Sequence, residues 1–288
     1  MRSCSNDWER LPNRNSRKFA SVSVTHWNWS REDGNVFPQA DAWHCHGRAG
    51  GLHRRYGVVP FWDSSFRLPY RQSNQDFVNL VGIIPGTGGG TPLLVGAHYD
   101  SVIEAPCADD NAAAVAIALE VGRTVGQKPL ERDLVIAIFD AEEPSHFQGT
   151  TMGSSNFYQK QTEGRGFHAA VVMDLLGHDV PLGPERIGAM LGLKSSIPEL
   201  PDLRVLVFVT GAESHPALPG IIETTPEPDG IRVLPTLNEY IGDMSDHGIF
   251  RKNGVPYFFL SCGHWEHYHR TTDTPDRLNY AKIAAIAA

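Results

Sequence analysis

The chain has 288 residues, 41% of them apolar and 20% charged, and a formal net charge of −8. That is enough for one sizeable α/β domain plus a short extra segment, with the composition of an ordinary soluble globular protein. The negative balance argues against nucleic acid as a partner, and no run of about 18 apolar residues exists to span a membrane.

Residues 1–60 differ from the rest. They hold nine Lys/Arg against five Asp/Glu, so the acidity of the chain lies entirely beyond them. Trp8, Trp27, Trp29 and Trp43 are many aromatics for a tail, yet they fall on no common face, and no helical or strand period is sustained. The reading is a poorly ordered or non-native extension, set against an accessory element. The opening Met1-Arg-Ser-Cys-Ser-Asn-Asp-Trp8 lacks the apolar core of a secretory signal, which makes a cytoplasmic location the default expectation. Cys4, Cys45, Cys107 and Cys262 are scattered, with no C-x-x-C spacing for a zinc knuckle and no disulfide framework. Residues 1–76 are therefore set apart as an atypical N-terminal segment and 77–288 as the main domain.

From Phe77 onward, apolar runs alternate with helical stretches. Phe77-Val-Asn-Leu-Val-Gly-Ile-Ile84 reads as a strand closed by a glycine-rich turn. Leu93 to Ala97 is apolar on both sides, as a central strand is. Asn111 to Val125 is Ala-rich with helical spacing. Further strands are expected at 134–139, 169–173, 205–209 and 255–260, and a helix from Tyr280 to the chain end. This alternation predicts a three-layer α/β sandwich with a central, largely parallel (mixed) sheet.

In such sheets the active site lies beyond the carboxyl ends of the strands. The second strand runs into His98-Tyr-Asp100, and its connection to the helix holds Asp109-Asp-Asn111. The third ends in Asp140-Ala-Glu-Glu143, the fourth in Asp174, and the sixth is followed by His264, His267 and His269. Each group alone is weak. A His-x-Asp pair is usually a surface accident, and an Asp-Asp-Asn before a helix is ordinarily a cap. Several carboxylates and imidazoles converging on one edge of a sheet imply a metal, because buried carboxylates without cations are costly.

The order of these pieces resembles the co-catalytic zinc aminopeptidases, relatives of glutamate carboxypeptidase and the glutaminyl cyclases. The matching stretches are Gly96-Ala-His-Tyr-Asp-Ser-Val102, Ala108-Asp-Asp-Asn111, Phe139-Asp-Ala-Glu-Glu143, Met152-Gly-Ser154, Val172-Met-Asp-Leu-Leu-Gly177, Ser245-Asp-His247 and Tyr268-His-Arg-Thr-Thr-Asp-Thr-Pro275. They cover residues 77–288, which the resemblance makes a zinc peptidase catalytic domain.

The resemblance implies two Zn²⁺ ions per chain and peptide substrates. His98 and Asp174 would hold one ion, Glu143 and His269 the other, and Asp110, not Asp109, would bridge both. Glu142 would be the general base and Asp100 the group that orients the His98 ring. His269 is preferred to His264 and His267 because Asp-Thr follows it at the family's offset. Tyr268 is either a hydrogen-bond donor to the oxyanion or a packed aromatic. A cis peptide at Asp110–Asn111 is also implied.

Some features depart from the family pattern. The usual N-terminal helices are not visible in residues 1–76, the last helix looks cut short, Cys107 stands where Gly is common, and Ala112-Ala-Ala114 replaces a run containing Ser-Gly. None removes a ligand. Two other readings stand beside the exopeptidase: a single-zinc glutaminyl cyclase, and a non-catalytic homologue acting as a binding module. The cyclases favour Trp where Tyr268 stands and carry a different insertion at Pro144–Gln148.

Overall fold

Leu134-Val-Ile-Ala-Ile-Phe139 is buried along its whole length, a pattern that requires cover on both faces of the strand. In the computed structural model this segment lies inside an eight-stranded sheet. The structure describes residues 28–32, 35–39, 67–102, 105–162, 164–180 and 203–288.

Two short strands, β1 (Asn28–Glu32) and β2 (Asn35–Gln39), pair antiparallel as a separate ribbon. They lie in the region where the sequence carries no strand period. The expectation for the rest of residues 1–60 falls outside the described residues.

The main sheet contains β3 (Arg67–Gln72), β4 (Gln75–Ile84), β5 (Leu93–His98), β6 (Leu134–Phe139), β7 (Ala169–Met173), β8 (Leu206–Thr210), β9 (Arg232–Thr236) and β10 (Tyr257–Ser261). Their order is β3-β4-β6-β5-β7-β10-β8-β9. The inner strands β6, β5, β7 and β10 are mutually parallel. β4 and β3 run antiparallel on one flank. On the other, β8 is antiparallel to β10 and parallel to β9. The sheet is mixed with a parallel centre, as the alternation of elements predicts.

Two strands of the main sheet also escape the sequence reading. β3 begins the sheet ten residues before Phe77, inside the segment set apart as 1–76, and β9 closes the other edge. Both are short and largely polar or exposed, and each contains a proline, Pro69 and Pro235. Proline lacks an N–H, so sheets accept it mainly at edges, and a strand containing one does not read as such.

The core divides into two layers. On one face, the helix Ala114–Val125 and the C-terminal helix Tyr280–Ala287 pack against each other and the sheet. The small side chains Ala114, Ala116 and Ala118 let the first of these lie close to β5 and β6. Asn279 caps the second by accepting the Lys282 N–H at 3.0 Å. On the other face, Phe139, Phe157, Phe167 and Phe250 form an aromatic cluster under the helix His247–Lys252. Burying one such ring stabilises the fold by about 1.5–3 kcal/mol. No helix among the described residues is long and apolar enough to cross a membrane.

Candidate metal centre

The parallel strands stop at a common edge, and every residue singled out for metal chemistry lies there. His98 is the last residue of β5, and Asp174 immediately follows β7. Glu142 and Glu143 occupy the turn after β6, and Asp110 the irregular segment between β5 and its helix. His269 sits in the loop after β10. Four residues flanking or within these segments, Cys107, Ala141, Leu175 and His269, have positive φ between 53° and 56°. Left-handed backbone in non-glycine residues is held in place only by its surroundings, and it gathers at functional sites. The Asp110–Asn111 peptide is cis, as the resemblance implies.

The side chains form two groups that share one residue: His98 with Asp110 and Asp174, and Asp110 with Glu143 and His269. His98 Nε2 lies 3.4 Å from Asp110 Oδ1 and 3.5 Å from Asp174 Oδ1. His269 Nε2 lies 3.2 Å from Asp110 Oδ2 and 3.1 Å from Glu143 Oε2. Asp110 thus turns one oxygen to each group. Several of these separations exceed those of strong charge-assisted hydrogen bonds, about 2.7–2.9 Å. They match instead the donor–donor spacing around a tetrahedral zinc, about 3.3 Å for bonds near 2.0 Å.

Two further observations bear on whether a cation fits. His98 Nε2, Asp110 Oδ2, Glu143 Oε1, Asp174 Oδ1 and His269 Nε2 are buried atoms without hydrogen-bond partners. Buried polar groups in this state are rare, and cations at the two donor groups would satisfy them. The imidazole and carboxylate donors are those that zinc accepts readily. The residues fit the ion.

The electrostatics agree. Burial pushes the Glu142 carboxyl well above its ordinary range; Asp174, Asp246 and Glu143 add to that push and His98 opposes it. Burial, with the Asp110 charge, raises Glu143 to about 7. Asp174 is raised by burial as well. Burial works against a charge on His98, but the carboxylates of Glu142, Asp100, Asp110 and Asp174 hold its imidazole well above the usual value. Asp110 and Glu143 hold His269 up at about 10. Burial alone would raise Asp110, yet His269 and His98 bring it down to about 2. An excess of negative charge is packed into low dielectric, and cations relieve it.

Asp100 does more than the sequence reading assigns to it. His98 Nδ1 is 3.2 Å from the Asp100 backbone oxygen and 3.5 Å from its Oδ1. The two carboxylate oxygens accept the backbone N–H groups of Glu142 and Glu143, each at 3.0 Å. Tyr268 is half-buried, stacked between His264 at 4.1 Å and His269 at 3.8 Å. Burial and the nearby charges of Asp110, Asp174, Glu143 and Glu142 raise its hydroxyl, which keeps its proton. Of the three clustered histidines, His264 stacks on Tyr268, and His267 Nδ1 lies 2.8 Å from Thr272 Oγ1. Neither joins the donor groups.

Asp273 and Asp246 receive no role in the sequence reading, and Asp109 is named there only to be passed over as the bridge. Asp273 and Asp109 bind neighbouring backbone and the His178 ring. Asp246 is fully buried, raised by that burial to about 7, with neither oxygen hydrogen-bonded. The only signals for them are that Asp246 stands in Ser245-Asp-His247 and Asp273 in the run after His269.

The chain is 26% identical over 238 residues to the uncharacterized protein YfbL of Escherichia coli K12, a match covering 70% of this chain and 65% of that one. Among solved structures it resembles LapB of Legionella pneumophila, with a TM-score of 0.61 and 19% identity over 85% of this chain and 62% of that chain. It also resembles BSAP, a zinc aminopeptidase from Bacillus subtilis, with a TM-score of 0.52 and 19% identity over 75% of this chain and 48% of that one. A glutaminyl cyclase of Bacteroides thetaiotaomicron gives a TM-score of 0.55 and 15% identity over 86% of this chain and 87% of that chain. The chain therefore spans less than two thirds of YfbL, LapB and BSAP. Residues 79–288 match the profile of Peptidase family M28. That stretch carries both donor groups and the main sheet from within β4 onward, and the chain belongs to Peptidase family M28.

Proposed function

We propose that the chain is a di-zinc aminopeptidase that removes N-terminal residues from peptides. The observation that carries this is Asp110, whose two oxygens face two separate donor groups. His98 and Asp174 would hold one ion, Glu143 and His269 the other, and Asp110 would contribute to both. When bound, a pair of zinc ions polarises the scissile carbonyl and brings the pKa of water toward neutrality.

The remaining work falls to the chain's own side chains. Glu142 Oε2 stands 3.8 Å from His98 Nε2, beside the first group but outside both. Its raised basicity suits a carboxylate that takes a proton from the attacking water and returns it to the leaving amine nitrogen. Asp100 fixes both glutamates through their N–H groups, so base and ligand keep their spacing. The protonated Tyr268 hydroxyl donates to the oxygen of the carbonyl under attack.

The test is zinc content together with turnover of a leucine-anilide substrate. About two zinc ions per chain and release of the anilide are expected. One zinc, with cyclisation of N-terminal glutamine in place of anilide release, moves the assignment to a glutaminyl cyclase. No zinc and no turnover leave a binding module.

A further inference from the structure

The donor residues come from segments far apart in the sequence. Their spacing depends on what ties those segments together. Asp273 follows His269 in a tight turn closed by the Asp273 N–H to the Arg270 oxygen at 3.0 Å. Its carboxylate reaches across to the Asp110 segment, accepting the N–H of Asp109 at 2.9 Å and that of Asp110 at 3.1 Å. Asp109 then reaches the other way. Its Oδ1 accepts the Gly177 N–H at 2.5 Å, and its Oδ2 lies 2.6 Å from His178 Nδ1. Gly177 and His178 belong to the turn that starts at Asp174. The C-terminal helix secures this turn from behind: Asn279 N–H bonds the Gly177 oxygen at 2.7 Å, and Lys282 Nζ the His178 oxygen at 2.9 Å. Asp109, Asp273 and His178 are all at most 1% exposed.

We propose that Asp109 and Asp273 are positioning residues that set the two donor groups separately: Asp273 spaces Asp110 against His269, and Asp109 spaces Asp110 against Asp174. The proposal rests on the two-metal reading. Both residues use both carboxylate oxygens, so neither can be replaced by an amide without leaving a buried N–H unmatched. Neither joins a donor group. Groups that hold metal ligands in place typically change metal affinity about 10–100-fold when altered.

The experiment is a stepwise zinc titration of metal-free protein against a competing chelator, with the melting temperature of the metal-free form recorded beside it. Wild type, Asp109→Asn and Asp273→Asn are compared. Each variant is expected to bind one equivalent as wild type does and the other about 10–100-fold more weakly. Double variants identify which equivalent is affected. Asp273→Asn with Glu143→Gln should weaken one equivalent only, whereas Asp273→Asn with Asp174→Asn should weaken both; Asp109→Asn should give the mirror result. If Asp109→Asn does not fold, His178→Gln disturbs the same contact from its other end and must weaken the same equivalent. Asp273→Ser, which keeps one acceptor, serves likewise for Asp273. Equal weakening of both equivalents in every variant, or none, overturns the positioning roles. A wild type that does not take up two equivalents sinks the two-metal reading instead.

Discussion

Asp100 Oδ1 accepts the backbone N–H of Glu142 at 3.0 Å, which joins the end of β5 to the turn after β6 at the point where the proposed base begins. Because Oδ2 holds the next N–H in the same way, Asp100→Asn can satisfy only one of the two. A buried N–H left without an acceptor costs about 1–3 kcal/mol. The variant should melt lower and bind zinc more weakly, by about 10–100-fold. Calorimetry and a chelator titration measure both; unchanged zinc affinity would remove Asp100 from the support of the centre.

Glu142 and Glu143 should separate into two phenotypes. Glu142→Gln keeps shape but loses the oxygen that accepts the proton, so turnover should fall about 10²–10⁴-fold with zinc content intact. Glu143→Gln should lose zinc first and activity in consequence. Measuring both quantities in both variants decides the matter, and the opposite pattern would exchange the two roles.

Zinc affinity should rise with pH between about 7 and 10. Asp110 and Glu143 hold the His269 imidazole at about 10, and burial raises Glu143 to about 7. A ligand must give up its proton to bind, so each group held above its ordinary value opposes zinc below that value and ceases to oppose it above. Titration calorimetry in buffers of different ionisation enthalpy counts the protons released. A pH-independent affinity across this window would contradict the assignment of His269 and Glu143 as ligands.

Gly177 has no room for a side chain. A Cβ there would sit 2.8 Å from Asp109 Oδ1, 2.8 Å from Leu278 Cδ2 and 2.9 Å from Ala113 Cβ. Gly177→Ala should destabilise the protein by about 1–3 kcal/mol, the usual cost of overpacking. It should also weaken zinc binding, since the shift falls on the Asp109 contact. Urea unfolding with and without chelator separates the two effects, and a variant as stable as wild type would mean the turn can move freely.

The inner sheet and two of the donor residues, His98 and Asp174, were legible for the same reason, whereas Asp110, Glu143 and His269 were singled out through the family resemblance. A strand buried on both faces must be an unbroken apolar run, and polar residues just beyond such a run stand out. β5 into His98 and β7 into Asp174 are both of this kind. β3 and β9 have no such contrast, being polar or exposed and interrupted by proline. Asp109 and Asp273 were illegible for a different cause. Their work depends on groups 68 and 164 residues away in the chain, and no local pattern records a contact of that span. Asp109 therefore reads as an ordinary helix cap until the fold supplies Gly177.

The prolines of the outermost strands bear on how the chain meets its own copies. Pro69 stands opposite Val78 in β3, and Pro235 opposite Val209 in β9, so both rims of the sheet contain a residue with no amide hydrogen. A strand arriving from another molecule would find its ladder broken within two or three residues of either end. Rims of this kind discourage the stacking that leads from a folded sheet to a fibre. Among the described residues, the two rims of the main sheet are therefore poor sites for a second copy to add a strand.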